Sequence, residues 1–143
     1  MASILLHLPA GTDLYDPDPE FTAKRDVELV SEWDDSVIGV VGWSSAGIDA
    51  VRTASEHAGL ERLVIVSTPF PDDGELEFDL SSVSAKTLLL LGSADPAAGS
   101  KHGKQWQQAL PDARLEMVPK AGSDILDTMW KRILSHLAPG RKA

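Results

Sequence analysis

The sequence predicts an α/β fold, a three-layer α/β/α sandwich around a mostly parallel sheet of about five or six strands. Short apolar segments alternate along the chain with segments of helical periodicity, the order expected of parallel strands joined by crossover helices. The apolar segments are nearly continuous, as in strands that are covered on both faces. The chain has 143 residues, which suits an ordinary hydrophobic core, and we expect one domain over residues 1–143.

Five segments are predicted strands because they are short, rich in aliphatic residues and bounded by turn residues. They cover residues 3–8, 36–42, 62–67, 86–92 and 114–119. In parallel sheets, ligands bind at the carboxyl ends of the strands. We therefore expect a functional site among the loops that follow these segments. The loop over residues 68–79 is expected to be a mobile insertion rather than a domain linker.

Three segments have the spacing of amphipathic helices, namely residues 45–58, 100–110 and 124–137. Gly59 follows the first as a predicted C-terminal stop. The third has the clearest apolar face, formed by Ile125, Met129, Ile133 and Leu137. Residues 12–35 allow two interpretations. Asp18-Pro19 resembles a helix start, whereas "DVELV" fits either a helix or a short strand.

Composition excludes several classes of function. The formal net charge of −9 disfavours nucleic acid and anionic membranes as partners, because both select basic surfaces. The absence of cysteine excludes disulfides, thiolate metal sites and cysteine catalysis. No ligand spacing supports a metal, and we expect no cofactor. The apolar start of the chain is too short for a signal peptide or a membrane span, so we expect a cytoplasmic protein.

The segment "GWSSAG" connects a predicted strand to a predicted helix. A serine nucleophile on such a turn, a nucleophile elbow, needs small residues around it because the backbone is strained and tightly packed. Ser44 has Gly42 two residues before it and Ala46-Gly47 two and three residues after it. Ser45 lacks this symmetry, and we expect its backbone N–H to contribute to an oxyanion hole at the helix N-terminus.

At this turn the chain resembles the α/β-hydrolase family. "ERLVIVSTPF", "KTLLLLGSADP" and "DARLEMVPKAG" are similar to the strands that follow the nucleophile helix in that family, in the same order. The resemblance is to a small, capless member with a minimal α/β-hydrolase-like fold and an open site. It implies a serine hydrolase or esterase that acts on a small acyl substrate. It also implies Asp95 as the triad acid and a second oxyanion N–H at Leu8, in "LLHLPAG".

The chain departs from the family pattern at the catalytic histidine. Ser123 stands at the expected histidine position, and a serine cannot act as a general base at neutral pH. The better interpretation of Ser123 is a helix N-cap. His102, which follows the acid loop, and His7, at the end of the first strand, are candidate substitute bases. A structural role is the more common one for both.

Two functions therefore stay open. One is a serine hydrolase with an incomplete catalytic triad. The other is a catalytically inactive protein of the same fold that binds a ligand or a partner. A small molecule is the expected ligand in either case, and a base supplied by a second copy is a weaker third idea. The plain alternatives are an N-cap role for Ser44 and a turn role for Asp95 in "SADP". The sequence carries no signal for an oligomeric state.

Overall fold

A six-stranded sheet with helices on both faces forms the centre of the computed structural model, which describes residues 2–71, 76, 78–95, 99–119 and 125–139. The strands are β1 (Ala2–His7), β2 (Val27–Val30), β3 (Val37–Trp43), β4 (Arg62–Val66), β5 (Lys86–Gly92) and β6 (Ala113–Val118). The helices are α1 (Pro19–Lys24), α2 (Gly47–Glu56), α3 (Ser100–Ala109), α4 (Ile125–Thr128) and α5 (Trp130–Leu137). The 3₁₀ turns cover Ser44–Ala46 and Leu80–Ser82. The predicted fold class is confirmed.

The strand order is β2-β1-β3-β4-β5-β6, and all five pairings are parallel. From β1 the chain moves outward to β2, then returns to β3 on the other side of β1. The direction of travel therefore reverses between β1 and β3. In open α/β sheets, a crevice forms at the carboxyl ends of the strands at such a reversal.

Apolar side chains cover both faces of the sheet, which explains why the strands read as continuous apolar segments. On one face they pack under α2 and α3, where Val51 and Trp106 are fully buried. On the other face they pack under α4 and α5, where Trp130, Ile133 and Leu134 are fully buried. The sheet is therefore the middle of three layers, as predicted.

The helix predicted over residues 124–137 is present but divided at Met129, and Asp124 lies outside the described residues. Met129 has φ −108° and ψ 17°, yet its N–H still donates to the Ile125 carbonyl at 2.8 Å. The stop predicted at Gly59 is wrong. Helix α2 already ends at Glu56, because His57 leaves the helical conformation with φ −128° and ψ 84°.

The ambiguous segment, residues 12–35, contains both a helix and a strand. The Asp18 side chain accepts from Phe21 N–H at 3.1 Å, which caps α1. Asp26 then turns the chain with a φ of +56°, and "VELV" forms β2. Trp33 lies in neither element and stacks on the His57 ring at a centroid distance of 3.7 Å. Of the predicted loop 68–79, residues 72–75 and 77 lie outside the described residues.

Candidate active site

Ser44 directly follows β3 and has a φ of +56°, in the left-handed region. A residue with a side chain in this conformation costs about 1–3 kcal/mol, so its surroundings must hold it there. The Ser44 carbonyl accepts a hydrogen bond from Thr68 Oγ1 at 2.8 Å. Ser44 also begins the 3₁₀ turn that leads into α2. The turn is therefore a strained connection between a strand and a helix.

Two glycines make room for this turn. A Cβ on Gly42 would lie 2.7 Å from both the Ala50 Cβ and the Gly47 Cα. A Cβ on Gly47 would lie 1.9 Å from Thr68 Oγ1. Atoms that are not bonded do not approach this closely, so a side chain at either position would force the turn or its neighbours to move. The small residues around Ser44 are required by packing.

Thr68 was not predicted as part of the turn. Thr68, the residue after Ser67, is fully buried. Its hydroxyl donates to the Ser44 carbonyl, and its own carbonyl accepts a hydrogen bond from the Trp106 indole N–H at 3.0 Å. Thr68 thus connects the turn after β3 to helix α3. It lies 24 residues from Ser44 in sequence. Only the pairing of β3 with β4 brings the two together, and no local pattern signals it.

Ser44, Ser67 and Asp95 follow the neighbouring strands β3, β4 and β5 at the same edge of the sheet. Two strand spacings, about 10 Å, separate β3 from β5, which leaves room for a group between Ser44 and Asp95. The Asp95 N–H donates to the Gly92 carbonyl at 3.2 Å and so closes the turn after β5. Ser123, the expected histidine position, lies outside the described residues.

Ser67 has the same unusual conformation as Ser44, with a φ of +54°. Since Trp43 pairs with Val66, the two serines occupy equivalent positions on adjacent strands. The Ser67 hydroxyl is buried and has no hydrogen-bond partner among the described residues, a cost of about 1–3 kcal/mol. Two serines with positive φ therefore lie side by side at this edge of the sheet, and no local sequence signal predicts the second.

The predicted oxyanion donors also lie at this edge. His7 pairs with Gly42 in the sheet, so Leu8 follows β1 beside the end of β3. Ser45 is exposed within the 3₁₀ turn before α2. The first N–H groups of a helix have no partner within it and attract negative charge.

The structure gives both candidate bases other hydrogen-bond partners. His102 Nδ1 accepts from Phe70 N–H at 2.9 Å, so the neutral ring carries its proton on Nε2 and has no free lone pair. His7 Nε2 lies 3.1 Å from Thr53 Oγ1, whose own proton is directed to the Asp49 carbonyl at 3.0 Å. His7 therefore donates through Nε2 and keeps its lone pair on Nδ1. Burial lowers the pKa of His7, and the Asp49 charge opposes this only in part.

The other two histidines lie at the opposite, amino-terminal edge of the sheet. His57 follows the end of α2 and stacks on Trp33. His136 Nε2 lies 2.9 Å from the carbonyl of Lys86, the first residue of β5. Burial lowers the pKa of His136, while its hydrogen bond to the Lys86 carbonyl acts in the other direction. Neither ring belongs to the edge that carries Ser44.

Two concavities lined by described residues can be compared with the position of the turn. A concavity of about 160 Å³ lies beside the end of β1, lined by Leu6, His7, Leu8, Thr12, Leu14 and Ser31. A larger one of about 570 Å³ lies at the amino ends of β4 and β5, away from Ser44. Within the described ranges, no three His, Asp or Glu side chains are grouped to hold a metal ion. In the same part of the chain, no helix has the length and apolar character to cross a membrane.

No protein-family model matches the sequence, and no curated protein matches it. Solved structures do match the fold. The enzyme MGS-MChE2, an α/β hydrolase from a metagenome of sediments of the Mar Chica lagoon in Morocco, has a TM-score of 0.71 at 12% identity, over 94% of this chain and 87% of that one.

Two archaeal proteins are also similar. Esterase Pf2001 of Pyrococcus furiosus has a TM-score of 0.68 at 14% identity, over 96% of this chain and 81% of that chain. A predicted CIB-like hydrolase from Thermoplasma acidophilum has a TM-score of 0.63 at 15% identity, over 92% and 81%. At such low identity the likeness establishes the fold alone. The chain has the α/β-hydrolase fold, as the resemblance at the serine turn implied.

Proposed function

We propose that this protein is a serine hydrolase, an esterase acting on small acyl substrates, with Ser44 as its nucleophile. The observation that carries the proposal is the left-handed Ser44 between two glycines that admit no Cβ. A serine that merely caps a helix has extended backbone angles and binds the helix N–H groups through its side chain. Ser44 has neither feature, since Trp43 is the residue at the cap position and no side chain caps the turn.

In this proposal Ser44 Oγ attacks the carbonyl carbon of an ester, and the alcohol leaves to give an acyl-enzyme that water then hydrolyses. The backbone N–H groups of Ser45 and Leu8 stabilise the negative charge on the carbonyl oxygen. Asp95 is the acid that would orient a histidine at position 123. It follows β5, whereas His7 ends β1 on the other side of β3, so Asp95 does not orient His7. Of the two candidate bases, His7 is the better one, because it keeps a lone pair on Nδ1 whereas the His102 lone pair is occupied.

The activity is expected to be weak. A serine hydroxyl that lacks a well-placed general base is a weak nucleophile, so Ser44 and the oxyanion donors support only slow turnover. A nucleophile, an acid and oxyanion donors without a histidine at the family position fit this level of activity.

A second candidate function is supported by the histidines. All four have hydrogen-bond or stacking partners elsewhere, and Ser123 occupies the position of the family base. The protein would then be an inactive member of the fold that binds a small molecule at the same edge. The two candidates differ in one measurable property, namely turnover that depends on Ser44.

The test is hydrolysis of p-nitrophenyl acetate by the wild-type protein and by Ser44→Ala. We expect turnover by the wild type and a rate at the buffer background for Ser44→Ala. Ser84→Ala is the matched control, since Ser84 is exposed and its hydroxyl donates to the Ala58 carbonyl at the amino edge of the sheet. Equal rates for wild type and Ser44→Ala would contradict the mechanism.

Ser123→His separates the two candidates further. If Ser44 and Asp95 keep the family geometry, the new histidine raises esterase activity above that of the wild type. A wild type without turnover that gains activity in this variant is an inactive protein with a repairable site. No gain in a folded variant would contradict the assignment of Ser123 to the histidine position.

A further inference from the structure

Strand β6 forms one edge of the sheet and has a regular set of outward-facing backbone groups. Thr87 N–H donates to the Asp112 carbonyl, and Ser93 N–H donates to the Val118 carbonyl. Even-numbered residues of β6 therefore direct their backbone groups toward β5. The odd-numbered residues direct theirs away from the sheet, and these are Ala113, Leu115 and Met117. Gln107 Nε2 contacts the Ala113 carbonyl at 3.5 Å, a long and weak hydrogen bond that a partner strand would replace. In the described part of the chain, β6 pairs with no strand other than β5.

We propose that this edge pairs with β6 of a second copy of the chain, antiparallel, around a two-fold axis at Leu115. This register places Leu115 opposite Leu115 of the other copy, and Ala113 opposite Met117. All outward-facing residues then meet in hydrogen-bonded pairs, and each such pair exchanges two N–H to carbonyl bonds. The two sheets would join into a continuous one.

The charged side chains of β6 favour the same register. Arg114 and Glu116 project from one face of β6, with side-chain exposures of 79% and 27%. The proposed register sets Arg114 of each copy opposite Glu116 of the other, in the closely spaced, non-hydrogen-bonded pairs. A shift by two residues in one direction would place Arg114 opposite Arg114. A shift in the other direction would place Glu116 opposite Glu116, and like charges directly opposite are destabilising.

The Glu116 carboxylate is already positioned for this contact. Arg132 Nη2 lies 2.6 Å from Glu116 Oε1, while Arg114 Nε of the same strand is 3.8 Å away. The ion pair with Arg132 limits the rotamers of Glu116 before a partner arrives, so less side-chain entropy is lost on association. Arg114 is the most exposed member of the group, and its long ion pair with Glu116 of the same strand would be exchanged for one with Glu116 of a second copy.

The other edge of the sheet is less suited to pairing. Strand β2 has four residues against six for β6, and left-handed Asp26 precedes it directly. Short edge strands and local twists are devices that limit pairing between sheets. Within β6 there is neither a proline nor a positive φ, and Pro111 and Pro119 lie just outside it.

The test is sedimentation equilibrium of the full chain from about 1 μM to about 1 mM, the range in which moderate affinities are resolved. Salt is kept at about 0.15 M to screen the repulsion between two chains of net charge −9. We expect the mass to rise toward twice the 15.3 kDa of one chain. A mass that stays at one chain over the whole range would overturn the proposal.

Charge-reversal variants test whether β6 forms the interface. Arg114→Glu places carboxylates opposite each other at both ends of the interface, and we expect dimerisation about tenfold weaker or worse. Glu116→Arg has the same effect with positive charges. An equimolar mixture of the two variants restores opposite charges in every pair, so we expect a heterodimer of wild-type strength. The control is Lys24→Glu, which changes the charge by the same amount at an exposed residue of α1, near the other edge of the sheet.

Two results would overturn the assignment of the dimer to β6. One is a dimer that Arg114→Glu weakens no more than Lys24→Glu does. The other is a mixture of folded Arg114→Glu and Glu116→Arg that remains monomeric. Circular dichroism establishes that each variant is folded. Since Glu116→Arg also removes the partner of Arg132, the mixture is repeated with Glu116→Gln, which is expected to bind Arg114→Glu more weakly than Glu116→Arg does.

Discussion

Gly47 and Thr68 determine whether Ser44 can keep its left-handed conformation. The Thr68 hydroxyl donates to the Ser44 carbonyl. A Cβ at position 47 would collide with Thr68, so only glycine there leaves Thr68 in place. The strain at Ser44 is thus maintained by a contact between the loop after β4 and the start of α2. The conformation of Ser44 therefore depends on the absence of a side chain at Gly47.

Gly47→Ala tests this dependence. The added Cβ would meet Thr68 Oγ1 at 1.9 Å, and Thr68 is fully buried, so either the threonine or the turn must move. We expect a loss of about 1–3 kcal/mol in the free energy of unfolding, measured by urea denaturation. If Ser44 is the nucleophile, the same variant loses esterase activity.

Gly59→Ala is the matched control, because a Cβ there meets nothing within 4 Å and its φ is not positive. We expect it to keep the wild-type stability within about 0.5 kcal/mol. Similar losses from Gly47→Ala and Gly59→Ala would show that the contact with Thr68 does not hold the turn.

Helix α1 is held against α5 by a chain of hydrogen bonds. The Trp130 indole N–H donates to Thr22 Oγ1 at 2.9 Å, and the Thr22 hydroxyl donates to Asp16 Oδ1 at 2.8 Å. Arg25 adds a bond to Ser135 Oγ at 2.9 Å. A helix of only six residues is not stable alone, so these contacts are needed to stabilise α1.

Thr22→Val keeps the shape of the side chain and removes the hydrogen bonds of the Thr22 hydroxyl with Trp130, with Asp16 and with the Asp18 carbonyl. The buried Trp130 N–H is then left without its acceptor, and we expect a loss of about 1–3 kcal/mol in the free energy of unfolding. Chemical denaturation followed by tryptophan fluorescence measures it. Thr12→Val, at an exposed threonine, is the control with the same substitution. An unchanged stability of Thr22→Val relative to Thr12→Val would contradict this role.

The elements that could be predicted from sequence are those whose signal is local. Continuous apolar segments identified five strands, because a strand that is buried on both faces is apolar along its own length, whatever its neighbours. The strand β2 stayed ambiguous since four residues are too few to show a period. The interruption of the helix at Met129 leaves no mark on the apolar pattern.

The candidate site divides in the same way. The small residues around Ser44 are adjacent in sequence, so the sequence alone predicts the turn. The Thr68 contact and the buried Ser67 hydroxyl arise where β4 meets β3, and they depend on a pairing between distant segments. The partners of His7 and His102 are equally non-local, which is why sequence could name both as candidate bases but could not assign their lone pairs.

Two half-buried histidines at opposite edges of the sheet make the stability of the protein depend on pH. Burial lowers the pKa of His7 and of His136 below the ordinary value of 6.5. Both rings are neutral in the folded state at neutral pH, whereas in the unfolded chain they gain a proton near pH 6.5. The unfolded state therefore binds more protons as the pH falls through that value, and stability declines.

We expect the free energy of unfolding to be constant between about pH 7 and 9 and to fall between about pH 6.5 and 5, where the unfolded histidines titrate. It also falls at more alkaline pH, because the pKa of Tyr15 is raised to about 12 in the folded state. Asp34 and Asp79, whose hydrogen bonds to Ser36 and Ser81 lower their pKa from 3.8, affect stability only at more acidic pH. Urea denaturation at pH 7.5 and pH 5.5 measures the decline. The double variant His7→Gln/His136→Gln cannot gain these protons, so its stability should change less between the two pH values. A wild type with equal stability at both, or a double variant with an undiminished decline, would contradict the linkage.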